Sequence, residues 1–303
     1  MRNIKTISLI PTMVLLLCAR AQAQQNTVDW KPVEQALGKA GSMQPGDVYK
    51  VSFPRSDLKI TAAGVELKPA LALGTWVAFK RMDGTTVVMG DLVLTENEVT
   101  SVLSKLQQGG IETTALHNHV LNESPRVMYM HIHAMGDAVT IARAIHDALA
   151  LTKTPFTAPA STATADIGLD TKQMDQIMGQ NGKVNGGVYQ YSIARADEIA
   201  DTAMTGGHTM VIPPAMGLAQ AINFQPTGPG KAAITGDFVL LAGEVTPVMK
   251  ALRENGIEVT AVHSHMLTEN PRLFFMHFWA NDDALKLARG LRAALDKANV
   301  RRQ

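Results

Sequence analysis

Apolar residues along this chain fall into strand-like runs and helix-like spacings that alternate in a fixed order. The segment Val87-Val88-Met89-Gly90-Asp91-Leu92-Val93-Leu94 is dense in β-branched and aliphatic residues and predicts a strand. Thr95-Glu96-Asn97-Glu98 then carries the Thr-x-x-Glu signature of a helix start. Val99, Val102, Leu103 and Leu106 recur at helical spacing until Gly109-Gly110 stops them. Two more strands are predicted over about 113–121 and 126–134, joined by a turn holding Asn122, Ser124 and Pro125. Asp137 is the expected cap of a last helix whose apolar side is Ile141, Ala142, Ile145 and Leu149. With Thr75-Trp76-Val77-Ala78-Phe79 as an earlier strand, the order is β-β-α-β-β-α. This predicts an α+β class of ferredoxin-like order, an antiparallel sheet with helices on one face.

The pattern occurs twice. Gly110-Ile111-Glu112 through His117-Asn118-His119 recurs as Gly256-Ile257-Glu258 through His263-Ser264-His265, and Glu123-Ser124-Pro125-Arg126 recurs as Glu269-Asn270-Pro271-Arg272. Gly90-Asp91 and Met130-His131 return in the same register as Gly236-Asp237 and Met276-His277. The helix positions return as Val245, Val248, Met249 and Leu252, and then as Ala284, Leu287, Ala288, Leu291 and Leu295. Two tandem repeats are therefore expected, over 28–150 and 169–300, with strands near 48–53 and 188–193 opening them. The Thr/Ala/Pro-rich stretch 151–168 between them reads as a linker.

The first residues depart from this periodicity. Arg2 and Lys5 precede an apolar run over roughly 7–17, and Ala21-Gln22-Ala23 follows, so residues 1–23 read as a signal peptide and the mature chain as periplasmic or secreted. The apolar run is shorter than the roughly 20 residues of a membrane-spanning helix, and no transmembrane segment is expected in the mature chain. Cys18 is the sole cysteine. It lies within the leader after Leu17, a poor context for lipid attachment, so no lipid anchor is expected and neither disulfides nor thiolate ligands remain. Cleavage removes three of the 28 basic residues and none of the 27 acidic ones, leaving a formal charge of −2. Such a balance gives nucleic acid no electrostatic footing.

Chemistry is concentrated in the hairpin. Side chains alternate across a strand, so His117 and His119 share a face, as do His131 and His133. A turn centred near residue 125 sets His119 opposite His131 and His117 opposite His133, a patch of four imidazoles. Leu116, Val120, Met128, Met130 and Ile132 alternate with them and are expected under the helices, which turns the histidines toward solvent or the other repeat. The second copy offers His263, His265 and His277, with Trp279 in place of His133. Imidazole is the commonest side-chain ligand of Zn and suits Cu as well. These residues are therefore candidate metal ligands. The alternative is that they are polar groups on a solvated face, or hydrogen-bonded between the repeats.

Glu123, like its counterpart Glu269, stands where a fourth ligand or a general base for metal-bound water would stand. Equally, it can pair with the following arginine and set the turn. Asp137 and Asp283 read as helix caps, while Asp91 and Asp237 carry no derivable role. His146 and His208 are each alone and belong to no site. No nucleophile elbow, His-Glu-x-x-His helix, phosphate-binding loop or dinucleotide fingerprint is present.

With Ala115-Leu116-His117-Asn118-His119, Glu123-Ser124-Pro125-Arg126 and Met130-His131-Ile132-His133 in view, and their second copies, the chain resembles the LppY/LpqO family of bacterial secreted proteins. The resemblance spans both repeats. It implies export and tandem domains of unknown function, and it supplies no reaction. Two functional classes follow: a protein binding a transition metal on the histidine hairpin and acting as a metal-dependent hydrolase, or a non-catalytic module in which two facing sheets bind an unidentified small ligand.

Overall fold

A computed structural model describes residues 28–82, 84–157, 167–202 and 209–301. The expectations for the leader, for half of the linker and for His208 lie outside these residues. The first half comprises α1 (Lys31–Leu37), β1 (Ser42–Gln44), β2 (Val48–Pro54), β3 (Thr61–Ala62), β4 (Val65–Glu66), α2 (Pro69–Ala72) and β5 (Gly74–Met82). It continues with β6 (Thr85–Thr95), α3 (Glu96–Gln108), β7 (Glu112–His117), β8 (Glu123–Ser124), β9 (Val127–Gly136) and α4 (Ala138–Leu149). The second half repeats the series as α5 (Thr171–Met178), β10 (Lys183–Asn185), β11 (Val188–Ala194), β12 (Ala200–Asp201), β13 (Met210–Val211) and β14 (Ala219–Gly228). After these come β15 (Lys231–Leu241), α6 (Ala242–Glu254), β16 (Glu258–His263), β17 (Glu269–Asn270), β18 (Leu273–Asp283) and α7 (Ala284–Leu295).

Each half is built on an antiparallel six-stranded sheet, in the order β1-β2-β5-β6-β9-β7 and β10-β11-β14-β15-β18-β16. Within it, the expected β-β-α-β-β-α unit takes the spatial order first, second, fourth, third, as in a ferredoxin-like plait entered at its last strand. One face of each sheet is covered by helices. Phe53, Phe79, Leu92, Met130 and Ile132 pack beneath α1, α3 and α4, and Tyr191, Phe224, Phe238, Met276 and Phe278 beneath α5, α6 and α7. The predicted caps are present: the Thr95 amide donates to Glu98 at 2.8 Å, and Asp137 and Asp283 accept from the amides of Thr140 and Lys286.

The helix-free faces look toward each other, and each is covered by an arm from the opposite half. The first arm, residues 55–73, brings Ile60, Leu67 and Leu71 into one cluster with Val188, Ala233 and Trp279 of the second half. The second arm, described over residues 195–202 and 209–218, brings Ile199, Met210 and Met216 together with Val48, Val87 and Met89 of the first. Polar contacts follow the same exchange: the Lys68 amide donates to Gln225 at 2.8 Å, and the Gln190 amide group donates to the Ala70 carbonyl at 2.7 Å. At the root of each arm sits a buried arginine that pattern reading did not single out. Arg55 donates to the Val93 carbonyl at 2.6 Å and pairs with Asp57 and Glu98, and Arg195 treats Val239, Asp197 and Glu244 in the same way. The recoverable signal was Arg-x-Asp at 55–57 and again at 195–197.

Candidate metal centre

The imidazoles arise from the alternation of β9 and β18. Met130 and Ile132 face the helices, so His131 between them faces the other half, and His277 does so between Met276 and Phe278. The hairpin register differs from the expected one. His117 lies opposite Tyr129, Ala115 opposite His131 and Glu112 opposite His133, four residues away from the anticipated pairing of His117 with His133. The physical reason is that β7 ends at His117 and the chain loops out through 118–122 before β8 pairs with β3 of the arm. A bulge between Thr113 and Ala115 also twists this edge strand, and Leu116, expected under the helices, is 42% exposed.

The two-by-two patch is thus replaced by a cluster built from both halves. Three imidazole pairs cross between the repeats: His117 with His263, His119 with His277, and His131 with His265, at ring-centroid distances of 3.7, 3.8 and 3.6 Å. The second and third pairs are mates under the repeat, while His117 and His263 are each other's counterparts. Thr114 donates to the His265 carbonyl and Thr260 to the His119 carbonyl, so the hairpins grip each other as in a two-fold dimer. Tyr129 stacks on His119 and Phe275 on His265 as outer walls.

Among the described residues, one nitrogen from each of His117, His263, His265 and His277 falls within 4.8 Å of the others. The Nε2 atoms of His117 and His277 are 3.2 Å apart. Two donors on one tetrahedral ion with bonds of roughly 2.0–2.1 Å stand about 3.4 Å apart. His277 is oriented by its other nitrogen, which lies 2.9 Å from the Gly236 carbonyl and 2.9 Å from Asp237. Asp91 is the cross-strand neighbour of His131 and Asp237 that of His277, which gives the repeated Gly-Asp a place beside the cluster. The glycines are needed because a Cβ on Gly236 would meet the Ala221 carbonyl oxygen at 1.8 Å and one on Gly90 the Trp76 oxygen at 2.9 Å.

Nitrogens of His117, His119, His131, His263 and His265 are buried without a hydrogen-bond partner. Burial, with repulsion from neighbouring imidazoles, holds His117, His119, His131 and His265 well below the usual imidazole range and brings His263 down to about 4. These rings are neutral at pH 7, with lone pairs available to a cation. The Asp91 carboxyl is pushed up by burial and by facing Asp237.

His133 stands apart from the cluster. It lies 2.9 Å from Asp201 on the second arm and 3.5 Å from Glu112. Burial pulls it down, but the hydrogen bond and charge of Asp201 carry it above the usual imidazole range. Trp279, in the equivalent position, is buried in the apolar cluster with the first arm. Glu123 is in neither the four-histidine group nor the wall of the adjacent cleft. It sits in β8 with Oε1 buried and unpartnered, and Arg126 turns instead to Glu96 at 3.9 Å. Glu269 does pair with Arg272, at 3.4 Å, and accepts from the Leu273 amide.

Beside the cluster a cleft of about 1170 Å³ opens between the halves, with Lys50, Trp76, Asp91 and His119 on one side and Gln190 and Asp237 on the other. The Lys50 ammonium stands 3.9 Å from the centre of the Trp76 ring, and burial brings its pKa down to about 8. No helix among the described residues is long and apolar enough to cross a membrane.

No curated protein matches the sequence. Among solved structures, the trimeric bacterial microcompartment shell protein PduB is 13% identical, with a TM-score of 0.21 over 85% of this chain and 90% of that one. EtuB from Clostridium kluyveri is 12% identical, with a TM-score of 0.21 over 86% and 90%. At such scores neither likeness carries an argument about this chain. The sequence pattern of the family described as Domain of Unknown Function (DUF1259) matches once in each half, at residues 31–151 and 172–297, and the chain belongs to that family.

Proposed function

We propose that the chain is an exported, non-catalytic binding module whose two facing repeats hold a transition-metal ion, Zn²⁺ or Cu²⁺, on His117, His263, His265 and His277. The observation that carries this reading is the convergence of those four nitrogens from both halves within 4.8 Å. Neutral imidazoles left without partners in a buried site cost about 1–3 kcal/mol each, and an ion removes that cost. The leader-like pattern of residues 1–23 and the resemblance to LppY/LpqO proteins support export. Hydrolysis is not part of the proposal: Glu123 and Glu269, the bases suggested by the hairpin motif, belong to neither the four-histidine group nor the cleft wall.

The test is elemental analysis of the mature protein, purified without a polyhistidine tag, beside a His117→Ala/His263→Ala variant. Zn or Cu near one ion or more per chain, lost in the variant, is the expected result. No metal in either, even after incubation with Zn²⁺ or Cu²⁺, would reduce the cluster to a packing interface between the sheets.

A further inference from the structure

We infer that the cleft between the halves is a saccharide site, taking a neutral oligosaccharide whose hydroxyls bridge the Lys50 ammonium to the Asp91 and Asp237 carboxyls. This goes beyond the metal reading above and does not rest on it.

Strand register sets polar groups of the two halves in equivalent rows. On the first sheet Ser52, Trp76, Asp91 and His131 are successive cross-strand neighbours, and on the second Ser192, Ala221, Asp237 and His277. The residues beside them, Val51, Val77 and Leu92 or Ile193, Ile222 and Phe238, belong to the helix-covered cores, so both rows face the other half. Each row leads to the histidine cluster, and its first three members line the cleft. Apolar residues flank the first row on both sides: Met89 and Val93 stand two positions from Asp91, one in each of the clusters that the arms complete. Packing of the arms accounts for these flanks and leaves a polar band between them.

The donors and acceptors of the band are not paired with one another. Among the described residues, Lys50 Nζ donates to one acceptor, the Ala215 carbonyl at 3.3 Å, although an ammonium carries three donors. The ionic neighbours of Asp91 and Asp237 are His131 and His277, not Lys50. Asp91 Oδ1, Asp237 Oδ1 and Thr235 Oγ1 are buried without a hydrogen-bond partner, and all three residues line the cleft. Asp91 and Thr235 are only 7% and 2% exposed, so their unmet polarity calls for a partner. A hydroxyl donates once and accepts twice, so one ligand hydroxyl accepts from Lys50 while donating to a carboxyl. An anionic ligand would meet the two aspartates and a cationic one Lys50, whereas a neutral ligand rich in hydroxyls uses both. Trp76, replaced by Ala221 in the second row, gives one wall an aromatic surface for the C–H side of a sugar ring. The cleft of about 1170 Å³ exceeds the roughly 300–1,000 Å³ of ordinary small-molecule pockets, which suits an oligosaccharide over a single sugar.

The experiment is a calorimetric titration of the metal-free full chain with the neutral trisaccharides maltotriose, cellotriose and triacetylchitotriose, beside spermidine and citrate as cationic and anionic probes. Saturable binding of at least one trisaccharide, and of neither charged probe, is the expected result. Lys50→Met, which keeps the aliphatic stem over Trp76, and Asp91→Ala should each weaken that binding by about tenfold or more, the loss of one charged hydrogen bond, with the far-UV circular dichroism unchanged. Binding of none of the trisaccharides, or of spermidine or citrate instead, would overturn the saccharide site. So would a trisaccharide bound equally well by the wild type and both variants. Metal content is read separately by elemental analysis, so each of these failures leaves the proposed function standing.

Discussion

The two halves trace the same path, yet at the equivalent point of β9 and β18 one carries His133 and the other Trp279. His133 meets Asp201 on the second arm, and Trp279 shares an apolar cluster with Ala62 on the first. Ala62 and Asp201 are themselves counterparts, each paired across the small sheet with the repeated glutamate, Glu123 or Glu269. One lock is a charged pair and the other an apolar cluster that holds both Trp279 and Ala62, and both fasten an arm to the opposite sheet. The frame therefore accepts an apolar substitute at this position. The three imidazoles beside it are present in each copy although burying unpartnered nitrogen is costly. Packing explains position 133, whereas packing alone leaves buried nitrogens of the cluster without partners.

The largest effect should fall where the halves agree. Arg55→Ala or Arg195→Ala empties a buried site at the root of an arm, leaves a buried backbone carbonyl and two partly exposed carboxylates without their donor, and is expected to cost about 3–5 kcal/mol in urea unfolding. Similar losses in the two variants would show that both arms fasten the molecule equally. Next comes the apolar lock, where Trp279→Ala is expected to cost about 3–5 kcal/mol, mostly from the cavity it leaves. A sharper version swaps the locks. Trp279→His alone should be strongly destabilising, and Ala62→Asp added to it should recover about 0.5–3 kcal/mol as coupling in a double-mutant cycle. Additive losses would mean that the two positions do not form a pair.

The polar lock should be weaker, with His133→Ala costing about 1–3 kcal/mol. It should also differ from the cluster in pH dependence. His133 lies above the usual imidazole range when folded, so its contribution is full below pH 6.5 and is lost as pH rises through its raised value. The depressed cluster histidines act in the opposite sense: below pH 6.5 the unfolded chain takes up protons that the folded chain refuses. Stability therefore falls from pH 6.5 toward the value of about 4 at which His263 protonates. Calorimetric melting temperatures from pH 4 to 8 should fall on the acid side in the wild type, and less steeply in His117→Ala/His263→Ala.

Much of this architecture is legible in the chain because it is written in local terms. The caps at Asp137 and Asp283, the capping box at Thr95 and Glu98, and the alternation that turns His131 away from the helices depend on neighbours a few residues away. The four-residue error in hairpin register comes from β8 pairing with β3, a partner about 60 residues upstream. Nor does one copy reveal that its histidines meet those of the other, since the facing of the sheets is set by exchanged arms whose apolar residues look ordinary in sequence. The repeated Gly90-Asp91 and Gly236-Asp237 were visible, but their meaning needed the cross-strand pairing to His131 and His277. His133 sits in the same motif as His131, and only the position of Asp201 separates their roles.

The most direct test of the central claim, a metal ion bound by ligands from both repeats, is an anomalous difference map from crystals grown with Zn²⁺ and measured at the zinc edge. The account predicts a peak within roughly 2.0–2.1 Å of nitrogens from His117 and from the second-half histidines His263, His265 and His277. No peak in the cluster, or one bound by residues of a single half, would contradict it.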